Sequence, residues 1–271
     1  MPELPEVETI KTGLQSLIGQ KILAIKIHNP SLRYMIDKDL EEKLKNKFII
    51  SITRRGKYLI FELTSGYIII HLGMSGSISL KNSISIYERQ KHDHLEIFFT
   101  DFTLRYNDPR RFGAIIYTPN LPSNHSLLNN LGPEPLTTEF TDKYLLTQLK
   151  KRKTTIKQAI MDHHIVVGVG NIYACEALFL SHILPYRIAN TITKSEATKL
   201  IQAIKHVLTL AIELGGSSLR DYKHVNEDTG KFQTIHNVYG KANKNCNKCS
   251  NIIQEMRLGQ RNSFYCSSCQ K

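Results

Sequence analysis

Apolar residues recur near the start of the chain at the spacing of one helical face. Val7, Ile10, Leu14, Leu17 and Ile18 align at 3.6 residues per turn, which predicts an amphipathic helix over 3–18. Pro5 falls in its first turn, where a missing N–H costs nothing, and Gly19 ends it. Glu3 and Glu6 share a face at the end where the helix dipole favours carboxylates. The period then changes. Short runs rich in Ile, Tyr and Phe, set off by turns such as Thr64-Ser65-Gly66, predict strands at 22–27, 48–54, 58–63, 67–72, 94–100 and 113–118. An antiparallel sandwich or barrel is the natural way to bury them. Helical spacing returns at 140–151, 155–163, 172–181 and 194–214, and Gly215-Gly216 stops the last run.

These patterns predict an α+β chain in four parts. Residues 1–118 carry the first helix and the strands. Pro119, Pro122, Pro133, Pro135 and the pair Asn129-Asn130 mark 119–138 as a linker. Residues 139–240 form a helical domain, ending in a polar stretch, 217–240, that reads as a mobile loop. Residues 241–271 form a small cysteine-bearing unit. A chain of 271 residues is long enough for two ordinary cores.

Composition adds a partner. Thirty-six Lys and Arg against 24 Asp and Glu give a net charge of +12, which predicts attraction to a polyanion, most often nucleic acid. No apolar run approaches the ~18 residues that a membrane span requires. The start has no basic segment followed by an apolar run, so no secretory signal is expected. Four of the five cysteines lie in the last 26 residues, as Cys246-x2-Cys249 and Cys266-x2-Cys269. Two such knuckles on a hairpin give four thiolates around one tetrahedral Zn²⁺, with no open position and therefore a structural role. Cys175 is the odd thiol and is expected to pack in a helix.

Several segments carry candidate chemistry. If Met1 is removed, the chain opens with the secondary amine of Pro2, with the Glu3 carboxylate beside it. A free α-amine titrates near pH 8, so roughly a tenth of it is unprotonated at neutral pH and able to form a Schiff base. Asn107-Asp108-Pro109-Arg110-Arg111-Phe112-Gly113 lies between two strands; its arginines beside an aromatic suit a wedge that enters a base stack. His71-Leu72-Gly73-Met74-Ser75-Gly76 is a second tight loop. Val167-Gly168-Val169-Gly170-Asn171 opens a helix whose N-terminus suits a phosphate. Lys150-Lys151-Arg152-Lys153 with Lys157, and Arg54-Arg55-Gly56-Lys57, are basic runs. Arg257 and Arg261 lie between the cysteine knuckles.

Taken together these segments resemble the formamidopyrimidine-DNA glycosylase family of bacterial repair enzymes. The matching motifs are PELPEVET at 2–9, RRGKYL at 54–59, IIIHLGMSGS at 68–77, KHDH at 91–94, RYNDPRRFGA at 105–114, LGPEPL at 131–136, VVGVGNIYA at 166–174 and the paired CxxC. They stand in the family's order over nearly the whole chain. The resemblance implies a β-sandwich with the N-terminal helix, a helix–two-turn–helix domain and a four-cysteine zinc-finger hairpin. It implies a monomeric bacterial cytoplasmic enzyme, acting at the nucleoid on duplex DNA with oxidised purines or abasic sites. Such enzymes excise 8-oxoguanine and formamidopyrimidines and cut the strand by β,δ-elimination. Pro2 would be the nucleophile and Glu3 the general acid, with Lys57 and Arg261 as proton donors in the eliminations. Arg110 would pair with the orphaned cytosine, while Met74 and Phe112 fill the void. Lys57, His71, Asn171 and Arg261 would grip phosphates, and His92, Lys153 and Lys157 would be further DNA contacts. The stretch 217–240 is the least family-like. Two alternatives differ in class. One is an endonuclease VIII-like oxidised-pyrimidine glycosylase, although Leu4 stands where that enzyme usually has Gly. The other is a non-catalytic zinc-finger DNA-binding protein, which would have no use for Pro2 beside Glu3.

Overall fold

Pro5 in the first turn, Glu6 near the N-terminal pole and Lys11 in the last turn all favour a helix here, and α1 spans Leu4–Gly13. Its inward face is Val7 and Ile10. The predicted helix over 3–18 is divided: after Gly13, a poor helix former, the chain tightens into a 3₁₀ turn at Gln15–Leu17. Leu14 and Leu17 stay buried because residues three apart stack in a 3₁₀ turn, so the apolar face outlasts the α-helix. This computed structural model describes residues 2–82, 88–217 and 230–271. Of the loop expected at 217–240, positions 218–229 lie outside the described residues.

Among the described residues eight strands follow: β1 (Ala24–Ile27), β2 (Ile49–Arg55), β3 (Tyr58–Leu63), β4 (Tyr67–His71), β5 (Ser77–Asn82), β6 (Asp93–Phe98), β7 (Phe102–Asn107) and β8 (Ala114–Thr118), with a short helix α2 (Leu40–Leu44) between β1 and β2. They make two antiparallel four-stranded sheets, ordered β1-β6-β7-β5 and β2-β3-β4-β8. One apolar cluster joins α1 (Val7, Ile10) to side chains of both sheets, among them Ile25, Leu95 and Leu104 from the first and Leu59, Phe61 and Ile70 from the second. The chain crosses from one sheet to the other between β4 and β5, and crosses back between β7 and β8. His71 pairs with Ala114 and Ser77 with Asn107, so these two crossings run side by side.

The chain divides into two compact units: Met1–Asn129 with Leu214–Lys231, and Asn130–Glu213 with Phe232–Lys271. The second holds α3 (Asp142–Leu149), α4 (Ile156–Ile160), α5 (Asn171–Leu180), α6 (Lys194–Glu213) and a hairpin of β9 (Gln254–Leu258) and β10 (Arg261–Tyr265). Thr141 and Thr155 cap α3 and α4 through their hydroxyls. Glu176, buried on α5, accepts N–H bonds from Asn237, Val238 and Tyr239 at 2.7–2.9 Å and so fixes the chain leading into the cysteine unit. Gly259 turns the hairpin at φ +60°. Among the described residues no helix is long and apolar enough to cross a membrane.

Candidate active site and metal centre

Pro2 and Glu3 are buried at the start of α1, where Glu3 is the extended N-cap residue. Glu6, one turn on, points its carboxylate back at them. Its Oε2 accepts the Glu3 N–H at 2.8 Å and its Oε1 accepts the Ser217 N–H at 2.8 Å. Glu6 thus does more than face the helix dipole: it holds the backbone of the residue next to the amine and ties it to Ser217. Arg54 Nε donates to Glu8 Oε2 on α1 at 2.6 Å, and its NH1 donates to the Gly56 carbonyl at 3.0 Å. The β2–β3 turn that carries Lys57 is thereby anchored to the same helix.

His71, at the end of β4, packs against Tyr58 with ring centroids 4.7 Å apart and the planes tilted by 46°. Its Nδ1 accepts the Gly73 N–H at 3.0 Å, so the neutral ring carries its proton on Nε2, as a donor. Burial, then the charges of Lys57 and Arg33, lower its pKa from 6.5 to about 4. The ring is therefore neutral at pH 7. The unfolded chain takes up this proton near pH 6.5, whereas the folded one resists until about pH 4. The stability this site contributes is present above pH 6.5 and is lost as pH falls through that window. A urea-denaturation series from pH 7 to pH 4 should show this slope, and His71→Gln should flatten it; an unchanged slope would remove His71 as its source.

Met74 and Phe112 stand on the two crossings between the sheets. They are 38% and 45% exposed. Arg110 is exposed, and its guanidinium lies over the Phe112 ring at 4.8 Å. His92 is half-buried, and its carbonyl accepts the Asp108 N–H at 3.1 Å.

In the second unit, Asn171 begins α5 after the N-cap Gly170, and Arg261 is exposed at the start of β10. Lys153 is exposed ahead of α4, and the Lys150–Lys153 run lies between α3 and α4 rather than on a helix. Lys157 departs from the expectation of a surface contact. It is 1% exposed, and its Nζ donates to the Asn262 carbonyl at 3.0 Å and to Ser263 Oγ at 2.6 Å. An ammonium this enclosed needs partners, and two of them lie on β10. Asn171 Nδ2 donates to the same Asn262 carbonyl at 3.1 Å. Lys157 and Asn171 therefore set the backbone beside Arg261. Sequence pattern carries no sign of this, because Lys157 and Asn262 are 105 positions apart.

Cys246, Cys249, Cys266 and Cys269 converge, with all four sulfurs within 4.8 Å of one another. Cys246–Cys269 and Cys249–Cys266 are 3.9 and 3.4 Å apart. Four sulfurs at about 2.3 Å from a tetrahedral zinc would sit about 3.8 Å apart, so the donor set fits one structural Zn²⁺. Cys175 lies apart from this set, buried on α5. It packs with Phe179, Val238 and Ile253, and burial pushes its thiol up to about 11.

The comparisons with known proteins cover the same ground. The formamidopyrimidine-DNA glycosylase N-terminal domain matches residues 1–115, its H2TH domain residues 131–223, and a zinc finger found in FPG and IleRS residues 243–271. A formamidopyrimidine-DNA glycosylase of Hydrogenovibrio crunogenus is 48% identical over 273 residues, covering 100% of this chain and 97% of that one. A crystal structure of a Lactococcus lactis FPG mutant with Fapy-dG containing DNA aligns at TM-score 0.91 and 37% identity over 100% of both chains. The wild-type Lactococcus lactis protein with an oxidised pyrimidine containing DNA aligns at TM-score 0.90, also at 37% identity and over 100% of both chains. With all three domains matched in order along its length, this chain belongs to the formamidopyrimidine-DNA glycosylase family.

Proposed function

We propose that this protein is a base-excision repair enzyme that removes oxidised purines from duplex DNA and then cuts the strand at the abasic site. The observation that carries the reading is the start of α1, where Pro2 is followed by Glu3 and Glu6 holds the Glu3 backbone at 2.8 Å. A base inside a duplex is out of reach, so it is first flipped out. The Pro2 nitrogen attacks C1′ and the bond from C1′ to the base breaks. Glu3 protonates the sugar ring oxygen, and the ring opens to an iminium. That cation acidifies the C2′ proton. Its loss expels the 3′ phosphate, a second elimination expels the 5′ phosphate, and Lys57 and Arg261 supply protons. His71, Asn171 and Arg261 grip phosphates, with His92 and Lys153 as outer contacts. Arg110 pairs with the widowed cytosine. Lys157 acts from beneath, through β10. The protein works as a monomer in the bacterial cytoplasm.

The test is incubation with an 8-oxoguanine:cytosine duplex and sodium borohydride, which reduces an imine to a stable amine. A covalent protein–DNA adduct is expected. Tight binding without an adduct would leave a non-catalytic zinc-finger protein. A faster reaction on a thymine glycol duplex would move the enzyme to the oxidised-pyrimidine class.

A further inference from the structure

The two crossings that carry Met74 and Arg110–Phe112 are separate loops, each joining a strand of one sheet to a strand of the other, and they touch along their backbones. A Cβ on Gly73 would lie 2.4 Å from the Phe112 carbonyl carbon, and one on Gly113 would lie 2.7 Å from the His71 oxygen. Between them sits one carboxylate. Asp108 is 0% exposed. Its Oδ1 accepts the Ser75 hydroxyl at 2.6 Å and the Arg110 N–H at 3.3 Å. Its Oδ2 accepts the Gly113 N–H at 2.9 Å and the Tyr106 hydroxyl at 3.4 Å. Ser75 Oγ in turn accepts the Arg110 N–H at 3.1 Å, which closes the bridge from the Met74 loop to the arginine. The Asp108 carbonyl is held as well, by the His94 ring N–H at 2.7 Å. Arg111 keeps a left-handed φ of +57° within this frame.

We propose that Asp108 is a positioning residue that clips the Met74 loop and the Arg110–Phe112 loop into one rigid void-filling unit. Asp108 opens the second crossing, where its carboxylate takes the Arg110 and Gly113 N–H groups, and it reaches the first crossing through the Ser75 hydroxyl. A buried carboxylate has two oxygens that only accept, and here four donors converge on them. Void filling demands that Met74, Arg110 and Phe112 arrive together; two loops moving independently would seat one while the other strays. A carboxamide at the same place would turn an NH₂ toward two of the four donors, and a donor left unsatisfied in the interior is costly. The proposal rests on the void-filling role given above to Met74, Arg110 and Phe112.

The experiment compares Asp108→Asn with the natural protein on three substrates: an 8-oxoguanine:cytosine duplex, an 8-oxoguanine:adenine duplex and a single-stranded abasic oligonucleotide. The single strand has no stack to fill. Asp108→Asn is expected to lose on the order of tenfold in duplex excision. The preference for cytosine over adenine should narrow, because Arg110 is mis-seated, while trapping on the single strand falls much less. A 2-aminopurine beside the lesion should brighten less on binding, reporting a poorly seated wedge. An equal loss on all substrates, or an unchanged opposite-base preference, would overturn the proposal. If Asp108→Asn does not fold, Ser75→Ala removes only the bridging hydroxyl and must show the same pattern, more weakly; natural behaviour there overturns the proposal too. Arg110→Ala and Phe112→Ala separate the two readings. If they excise normally, the void-filling role itself falls; if they are impaired while Asp108→Asn is not, only the role of Asp108 falls.

Discussion

Protein that retains Met1 is expected to lose borohydride-trapped attachment to damaged DNA by about a thousandfold or more, the scale on which enzymes respond to removal of a nucleophile. The reason is electronic. An amine lone pair is free to attack C1′; once Met1 is joined to it, the Pro2 nitrogen becomes an amide whose lone pair is delocalised into the carbonyl. The site also has little room to adapt. Pro2 is buried and the next peptide N–H is held by Glu6. Base excision and strand cutting should fail together, because both pass through the same carbon–nitrogen bond. Binding to an uncleavable abasic analogue should survive within about tenfold, since phosphate contacts dominate affinity for nucleic acid. The comparison needs one preparation processed to Pro2 and one blocked by an N-terminal extension, both verified by intact mass. Full activity in the blocked form would remove Pro2 from the mechanism.

The parts of this machinery are not equally legible in the chain. The cysteine knuckles are a local pattern whose residue type and spacing state their chemistry, whereas Pro2-Glu3 alone reads as a helix start and takes its proposed role from the resemblance of the whole chain. Most expected strands coincide with observed ones because runs of Ile, Tyr and Phe end at turns. β5 and β7 are missing from the expected set for separate reasons. Ser77–Asn82 alternates as a strand does but offers only Ile78 and Leu80 as apolar positions, and Phe102–Asn107 buries Arg105 against Glu96, which linear hydropathy scores as surface. Lys157 reads as one more cation in a basic run until a hairpin from far along the chain closes over it. Asp108 reads as a turn former ahead of Pro109, and the partner that ties it to the other loop, Ser75, is 33 positions away. Glu6 is similar: its Ser217 contact spans 211 positions. What stays hidden in each case is a buried polar group whose partner comes from another part of the chain. Burial makes such a pair consequential and distance makes it illegible.

Removal of zinc is expected to weaken duplex binding at least about a hundredfold, and re-addition to restore it. Structural zinc sites supply on the order of 10 kcal/mol of folding free energy, far more than about thirty residues with one short hairpin provide alone. Here the consequence spreads through named contacts. Cys246 and Cys266 are part of the apolar cluster with Ile253, Val238, Cys175 and Phe179, so loss of the metal opens that cluster toward α5. β10 then loses its register, and the Asn262 carbonyl and Ser263 hydroxyl leave the Lys157 ammonium. A buried cation that loses two of its partners is destabilised, so α4 should loosen as well. The same step carries off Arg261. Chelation of the intact protein, or Cys249→Ser, should therefore lower affinity for a duplex abasic analogue at least about a hundredfold, as expected when phosphate contacts are lost together. The salt dependence of whatever binding remains should flatten, because fewer counterions are released. Hydrogen exchange at the amides of 262–265 and at α4 should accelerate together. Undiminished binding by metal-free protein, with zinc content measured in the same sample, would show that the four thiols hold the hairpin unaided and that the metal is dispensable.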